Sequence, residues 1–432
     1  MGSILVPYDK VQQAFSENPS AVHDVVDTSA NEAAAGDAQQ RAQLIAQWHD
    51  ALAALEDADR GSKVLSTPQN ALASQLQTLL ANRSADQGKL QVVQPQSVVT
   101  TEAGDSTAAE VVEVKFDNND LIGWLGTGLK ILFKTSPHPW LPPAELPEQL
   151  ADDARIAVFG DWGTGLYGAP VITQSIKKLP RCDVVIHLGD TYYSGANDEI
   201  DKRLVGDWPT RPAGTVMRAL NGNHEMYSGG QGYFRALESF FKQSSSCFAL
   251  QNAHWLVVGL DTAYKDFDLE PRQVDWLHRL VQAAGTRRVI LMSHHQPFSQ
   301  LDDQGPSLQA ALGDLLQKQR ITAWFWGHEH RLVVYDPHPL WGVKGRCVGH
   351  GGFPSERDTG IGAGGDVYKW IVMSPKPHAP AARLLDGPNF WVTAAPGQYS
   401  PHGYLFLEFD GDKAWETYRT PDNIAVSGRW QI

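Results

Sequence analysis

Cysteine is scarce in this chain: Cys182, Cys247 and Cys347 are the only three in 432 residues. An odd count at wide spacing excludes a disulfide framework and a Cys-x-x-Cys metal site. No run reaches the roughly 18 apolar residues that a spanning helix needs. The start, Met1 to Lys10, lacks a basic stretch followed by an apolar one and a small-residue cleavage site. The expectation is a cytoplasmic protein with no membrane span. Positive charge is also short, with 36 Lys and Arg against 49 Asp and Glu and a formal net charge of -13. Duplex binding needs a basic face, so nucleic acid is not an expected partner. Bound metal ions would supply local positive charge without Lys or Arg. What the chain does have is 42% hydrophobic and 20% charged residues, enough to bury a large core.

Two regions differ in character. Residues 1–150 read as a mostly helical N-terminal region ending in a proline-rich linker. Leu44, Trp48, Leu52 and Leu55 recur at helical spacing, and so do Leu72, Leu76, Leu79 and Leu80. These helices form either a simple hairpin or a surface for oligomerisation. Val111 to Phe116 alternates like a strand, and Leu121 to Phe133 is an apolar stretch expected to pack as a helix. Pro137, Pro139, Pro142, Pro143 and Pro147 mark a stiff linker. Residues 151–432 then read as a catalytic α/β domain. Ile156 to Phe159, Val184 to Leu188, Trp255 to Leu260, Val289 to Met292 and Thr322 to Trp326 are short apolar runs of the buried-strand kind. Helical patterns lie between several of them, at Ala169 to Leu179 and Val274 to Ala284. Asp410-Gly411-Asp412 separates two alternating runs and predicts a hairpin. Residues 353–400 are rich in Gly and Pro and read either as a lid or as a loop pinned by Trp370 and Trp391.

The apolar runs end in polar clusters. Phe159 leads to Gly160-Asp161-Trp162-Gly163, Leu188 to Gly189-Asp190-Thr191-Tyr192-Tyr193, and Leu220 to Gly222-Asn223-His224-Glu225. Met292 leads to His294-His295-Gln296-Pro297, and Trp326 to Gly327-His328-Glu329-His330. In open α/β sheets the crevice at the carboxyl ends of the strands binds ligands, so these clusters are expected to converge. Carboxylate, amide, imidazole and phenol without thiolate suit hard or intermediate cations. The set is too large for one ion and fits two ions sharing a carboxylate, the arrangement that holds both oxygens of an in-line phosphoryl displacement. His294, His350 in Gly349-His350-Gly351-Gly352, and Tyr227 are further candidates for contact with a small phosphorylated substrate.

The order GD, GDxxY, GNHE, HxP and GHxH, spread over residues 160–330, resembles the calcineurin-like metallophosphoesterase superfamily. Within it, the Asp161-Trp162-Gly163 and Asp190-Thr191-Tyr192-Tyr193 variants look like purple acid phosphatases of the small tartrate-resistant type. The resemblance covers roughly residues 155–420. It implies a four-layer α/β/β/α sandwich and a phosphomonoesterase; a phosphodiesterase acting on nucleotides or lipid head groups is the alternative within the same chemistry. A binding protein with a vestigial metal site is a third reading, and the complete ligand set speaks against it. By resemblance, Asp161, Tyr193 and His330 would bind the first metal, Asp190 would bridge, and Asn223, His295 and His328 would bind the second. Fe(III) would sit at the Tyr193 site, with Fe, Zn or Mn beside it. His224 would not ligate but would act on the phosphate as acid or charge stabiliser.

Overall fold

The computed structural model describes residues 74, 75, 78, 137–211, 214–302, 304–357, 365–393 and 395–432. The helical repeat expected around Trp48, the strand at 111–116 and the apolar stretch at 121–133 lie outside the described residues; of the repeat from Leu72 to Leu80 only Ser74, Gln75 and Thr78 are described, helical and buried, with Thr78 Oγ1 donating to Glu199 Oε1 at 3.0 Å. Among the described residues no helix is long and apolar enough to cross a membrane.

Two sheets carry the structure. The six-stranded one runs, edge to edge, Trp430–Gln431, Lys413–Arg419, Tyr404–Asp410, Arg155–Phe159, Val184–His187 and Val216–Ala219. Its last three strands are parallel, with Ile156 opposite Val184 and Val184 opposite Val216. The nine-stranded sheet runs Glu148–Gln149, Phe248–Gln251, Trp255–Gly259, Arg288–Ser293, Ile321–Trp326, Lys344–Val348, Leu332–Tyr335, Ala382–Asp386 and Lys369–Met373. Its central strands from Trp255 to Val348 are again parallel.

Strands buried on both faces read as continuous apolar runs, and that is why the central ones were legible. Ile156, Val158, Val184 and Ile186 of one sheet share a core with Val257, Ile290, Met292, Ala323 and Phe325 of the other. On the outer face of the six-stranded sheet the helix Ala169–Lys178 packs Ile172 and Ile176 against Phe159 and Val185. On the outer face of the nine-stranded sheet the helix Pro271–Ala284 packs Trp276, Leu277 and Leu280 against Leu256, Val289 and Leu291. Proline at its first position suits a helix start, where no intrahelical N–H bond is lost. The result is the expected α/β/β/α layering.

One charged pair ties the sheets together through the middle. Arg346 Nε donates to both carboxylate oxygens of Glu416 at 2.9 Å, and the Tyr418 hydroxyl donates to Glu416 Oε2 at 3.0 Å. The proline-rich stretch is packed against the catalytic body along its length. Trp140 is buried in the outer core, His138 stacks on Phe234 with ring centroids 4.3 Å apart, and Trp276 Nε1 donates to the Ala144 carbonyl. Residues 353–400 contain an antiparallel pair, Lys369–Met373 with Ala382–Asp386, at the edge of the larger sheet. Bidentate bonds from Arg357 to Asp386, both 2.7 Å, hold that stretch to the sheet edge.

Candidate metal centre

The five polar clusters meet where the parallel strands of the two sheets end. Asp161, Asp190 and Asn223 follow successive strands of the smaller sheet; His294, His295, His328 and His330 follow two adjacent strands of the larger. Backbone conformation marks the place. Asp161, Asp190, His328 and His330 all have positive φ, at 55°, 76°, 67° and 51°. Each such non-glycine residue costs about 1–3 kcal/mol and persists only where the surroundings fix it. Gly222 is needed for approach: a Cβ there would stand 2.1 Å from Asp190 Oδ1.

The donor atoms are close and buried. One group of His294, His295 and His328, and another of Asp161, Asp190 and His294, each offer ligand atoms within 4.8 Å of one another. His294 Nδ1 is bonded to the Leu188 carbonyl at 2.9 Å, which turns Nε2 inward, 3.0 Å from Asn223 Oδ1, 3.4 Å from Asp190 Oδ1 and 3.2 Å from His328 Nδ1. His295 is held likewise, with Nδ1 on the Thr262 carbonyl at 2.9 Å and a buried Nε2 without a hydrogen-bond partner. A histidine whose outer nitrogen is fixed by a carbonyl presents its inner lone pair to a metal. Asn223 Nδ2 donates to the Tyr227 hydroxyl at 2.6 Å, so its amide oxygen faces the cluster.

The sharpest test of fit is Tyr192. Its hydroxyl lies 3.1 Å from Asp161 Oδ1, 3.2 Å from Asp190 Oδ2 and 2.9 Å from His330 Nε2. A phenol has one hydrogen and cannot serve both carboxylates, whichever way the bond to His330 Nε2 runs. A cation shared by phenolate, carboxylates and imidazole satisfies all of them, so the donor set fits metal ions. Electrostatics agree. Burial pushes the Asp161 carboxyl well above its ordinary range, with His294 opposing and Asp190 adding to the rise. For Asp190 burial acts in the same sense, but the facing imidazoles of His294, His224 and His328 outweigh it and hold this carboxyl below its ordinary range. Burial lowers His224, His295 and His328, and brings His330 down to about 4, so neutral imidazoles are favoured.

Three expectations are corrected by this geometry. Tyr193, expected at the first metal, is buried with its ring beneath the Arg203 guanidinium, 5.7 Å away. Glu199 holds the Tyr193 amide and His224 Nδ1 its carbonyl; these backbone anchors leave the Tyr192 ring, not that of Tyr193, facing the carboxylates. His294, expected beside the substrate, belongs to both donor groups. His350, expected near the phosphate, lies against Gly403 with both ring nitrogens buried and without a hydrogen-bond partner, and belongs to neither donor group. The remaining expected residues, Asp161, Asp190, Asn223, His295, His328 and His330, do come together, and Tyr227 reaches them through Asn223.

His224 sits apart from the donor groups. It is fully buried between the rings of Tyr192 and Tyr227, at centroid distances of 4.6 and 4.7 Å. Its Nε2 has no hydrogen-bond partner and lies 3.8 Å from Asp190 Oδ2. Sequence reading passed over the residues that hold the ligands. Glu225 Oε2 accepts the amides of Asp190 at 3.1 Å and Gly222 at 2.7 Å, and burial followed by the Asp190 charge pushes its carboxyl up to about 8. Glu329, between the two ligand histidines, accepts from Trp326 Nε1 at 2.6 Å. Their place inside the GNHE and GHEH motifs was the available signal.

Residues 154–332 match the calcineurin-like phosphoesterase family. This stretch, less than half of the chain, is similar to calcineurin-like phosphoesterases. The chain is 28% identical over 215 residues to a 3',5'-cyclic adenosine monophosphate phosphodiesterase of Pseudomonas aeruginosa, across 47% of this chain and 74% of that one. Among solved structures it resembles a purple acid phosphatase from yellow lupin seeds, at 16% identity and a TM-score of 0.48. That match covers 68% of this chain, which spans 55% of the lupin enzyme's length. A dimetal phosphatase from Danio rerio is similar at 12% identity, a TM-score of 0.39 and coverage of 65% of this chain and 98% of that one.

Proposed function

We propose that this protein hydrolyses phosphate esters, monoesters first, at a dinuclear metal centre. The observation that carries the reading is the convergence of Tyr192, Asp161, Asp190 and His330 at one point, next to the inward-facing nitrogens of His294, His295 and His328. Asp161, Tyr192 and His330 would hold one ion, Asn223, His295 and His328 the other, with His294 on the second ion's side and Asp190 between them. When bound, such ions supply Lewis acidity and make water nucleophilic near neutral pH. Iron is the natural occupant beside a phenolate, and Fe, Zn or Mn beside it suits the nitrogen and oxygen donors.

The chain's own residues would do the rest. His224 is clamped through Nδ1, so its Nε2 is the atom aimed at the reacting group. Protonated, it would donate to a phosphoryl oxygen or to the departing alkoxide; positioned acids of this kind contribute about 10²–10⁴-fold. Burial disfavours the imidazolium, so a dianionic phosphate beside it would be needed to charge it. Tyr227 keeps the Asn223 oxygen turned inward.

A diester substrate is the second reading, favoured by the similarity to the Pseudomonas cyclic-nucleotide phosphodiesterase. Parallel assays on p-nitrophenyl phosphate and bis-p-nitrophenyl phosphate separate the two. A higher kcat/KM on the monoester is expected; turnover of the diester alone would reverse the assignment. The division into an N-terminal region, 1–150, and a catalytic domain, 151–432, and oligomerisation through the N-terminal region, remain part of the proposal. Size measurement in solution tests the latter.

A further inference from the structure

Three aromatic rings lie on the ligand cluster, and they are not equivalent. Phe353 stacks on Tyr192 and His330, at centroid distances of 4.5 and 4.6 Å, and is buried. Phe267 lies tilted against His295, with centroids 3.9 Å apart, and edge-on to His328 at 5.3 Å, yet it is only half-buried. Tyr227, edge-on to His224 at 4.7 Å, is also half-buried. The rings with a solvent-facing surface therefore both stand on the side of Asn223, His295 and His328, one on the loop after Trp255–Gly259 and one in the short helix Asn223–Tyr227. Tyr227 meets the same group of donors through Asn223, whose Oδ1 lies 3.0 Å from His294 Nε2.

Phe267 is also strained. Its φ is 59°, in the left-handed region where a bulky residue is an outlier and Gly or Asn would serve a turn at lower cost. The residue is only half-buried, so core packing alone does not account for it. Strain at a ligand site points to a use for the side chain that offsets its cost.

We propose that Phe267, with Tyr227 on the same side of the ligand cluster, is a specificity-determining surface that stacks on a flat aromatic group carried by the phosphate ester. The substrate class is then a phosphate ester with a planar ring near the scissile group, such as a nucleotide, in preference to a polyol or sugar phosphate. This rests on the phosphoester-hydrolysis reading but not on the choice between monoester and diester. Stacking of a ring on Phe267 binds the leaving group or second substituent and leaves the chemical step alone, so it acts through KM.

The test compares adenosine 5'-monophosphate with ribose 5-phosphate on the metal-loaded full-length chain. Both release the same primary alkoxide and differ only in the base. Phe267→Ala is expected to lower the ratio of kcat/KM for the two by about tenfold, through KM for the nucleotide, the size expected for one lost base–aromatic stack. Phe267→Trp is expected to restore the ratio, and Phe267→Leu, which keeps apolar bulk without a π face, is expected to behave as Phe267→Ala. An unchanged ratio in Phe267→Ala and Phe267→Leu overturns the proposal, as does an equal loss of kcat on both substrates, which would make Phe267 a support for the His295 and His328 rings only. If only diesters are turned over, the methyl esters of the same two phosphates give the same contrast. Failure of the parent protein to cleave any of these esters would instead refute the hydrolase reading, and this inference with it.

Discussion

Replacing Tyr192 by Phe removes one oxygen and nothing else from the centre of the site. That oxygen touches Asp161 Oδ1, Asp190 Oδ2 and His330 Nε2 at 3.1, 3.2 and 2.9 Å. Hydrogen bonds to charged partners are worth about 1.5–3 kcal/mol each, and one proton can serve only one of the two carboxylates. Loss of one such interaction corresponds to roughly 10- to 100-fold at about 1.4 kcal/mol per decade. Tyr192→Phe is therefore expected to weaken the first metal position by about 10- to 100-fold, read by titrating metal into stripped protein and counting bound equivalents. If iron is loaded, the same variant should lose its phenolate-to-iron visible band. Tyr193→Phe removes an oxygen from beneath Arg203 and should leave both readouts as in the parent. A Tyr193→Phe protein that loses metal or colour while Tyr192→Phe keeps both would refute the placement of the two rings.

His224→Gln should lower kcat by about 10²–10⁴-fold with metal content unchanged, because Nε2 lies outside both donor groups; loss of an equivalent of metal would make it a ligand. Glu416→Leu strands the buried Arg346 charge between the sheets and is expected to cost about 3–5 kcal/mol by urea denaturation, whereas a shift within about 0.5 kcal/mol would mean that water reaches the guanidinium. His350 and His402, both buried, are brought down by burial from 6.5 to about 3. The unfolded chain then binds more protons between those values, so stability is full above pH 6.5 and falls as pH drops toward 3, by up to about 1.4 kcal/mol per unit for each group. A urea midpoint that is flat between pH 7 and pH 5 would contradict their burial as neutral rings.

The parts of the structure that could be read from the sequence share one property: each is local. Val184 to Leu188 is a run of apolar residues because both of its faces are covered, and Gly189-Asp190 ends it because the chain must turn with positive φ there. Such strand ends carry their chemistry in adjacent positions. The choices that could not be read depend on contacts far along the chain. Tyr192 and Tyr193 are neighbours of like type, and what decides between them is Glu199 on one anchor and His224 on the other. His294 is selected by the Leu188 carbonyl, a hundred residues earlier. Phe267 carries no motif at all and becomes visible only through its backbone angle and the two imidazoles it covers. The stretch Pro137 to Pro147 has the composition of a linker, yet Trp140 within it is buried in the outer core; proline content sets stiffness, not whether a segment is packed. The strands Leu332–Tyr335, Lys344–Val348, Lys369–Met373 and Ala382–Asp386 are short or mixed in polarity, and their identity comes from pairing at one end of the larger sheet.

The bimetallic reading is tested most directly by titrating metal into stripped, full-length protein while following hydrolysis of p-nitrophenyl phosphate. Activity absent from the stripped protein and rising to a plateau at two equivalents per chain is the expected result. Full turnover without metal, or a plateau at one equivalent, would contradict a centre in which Asp190 lies between two ions.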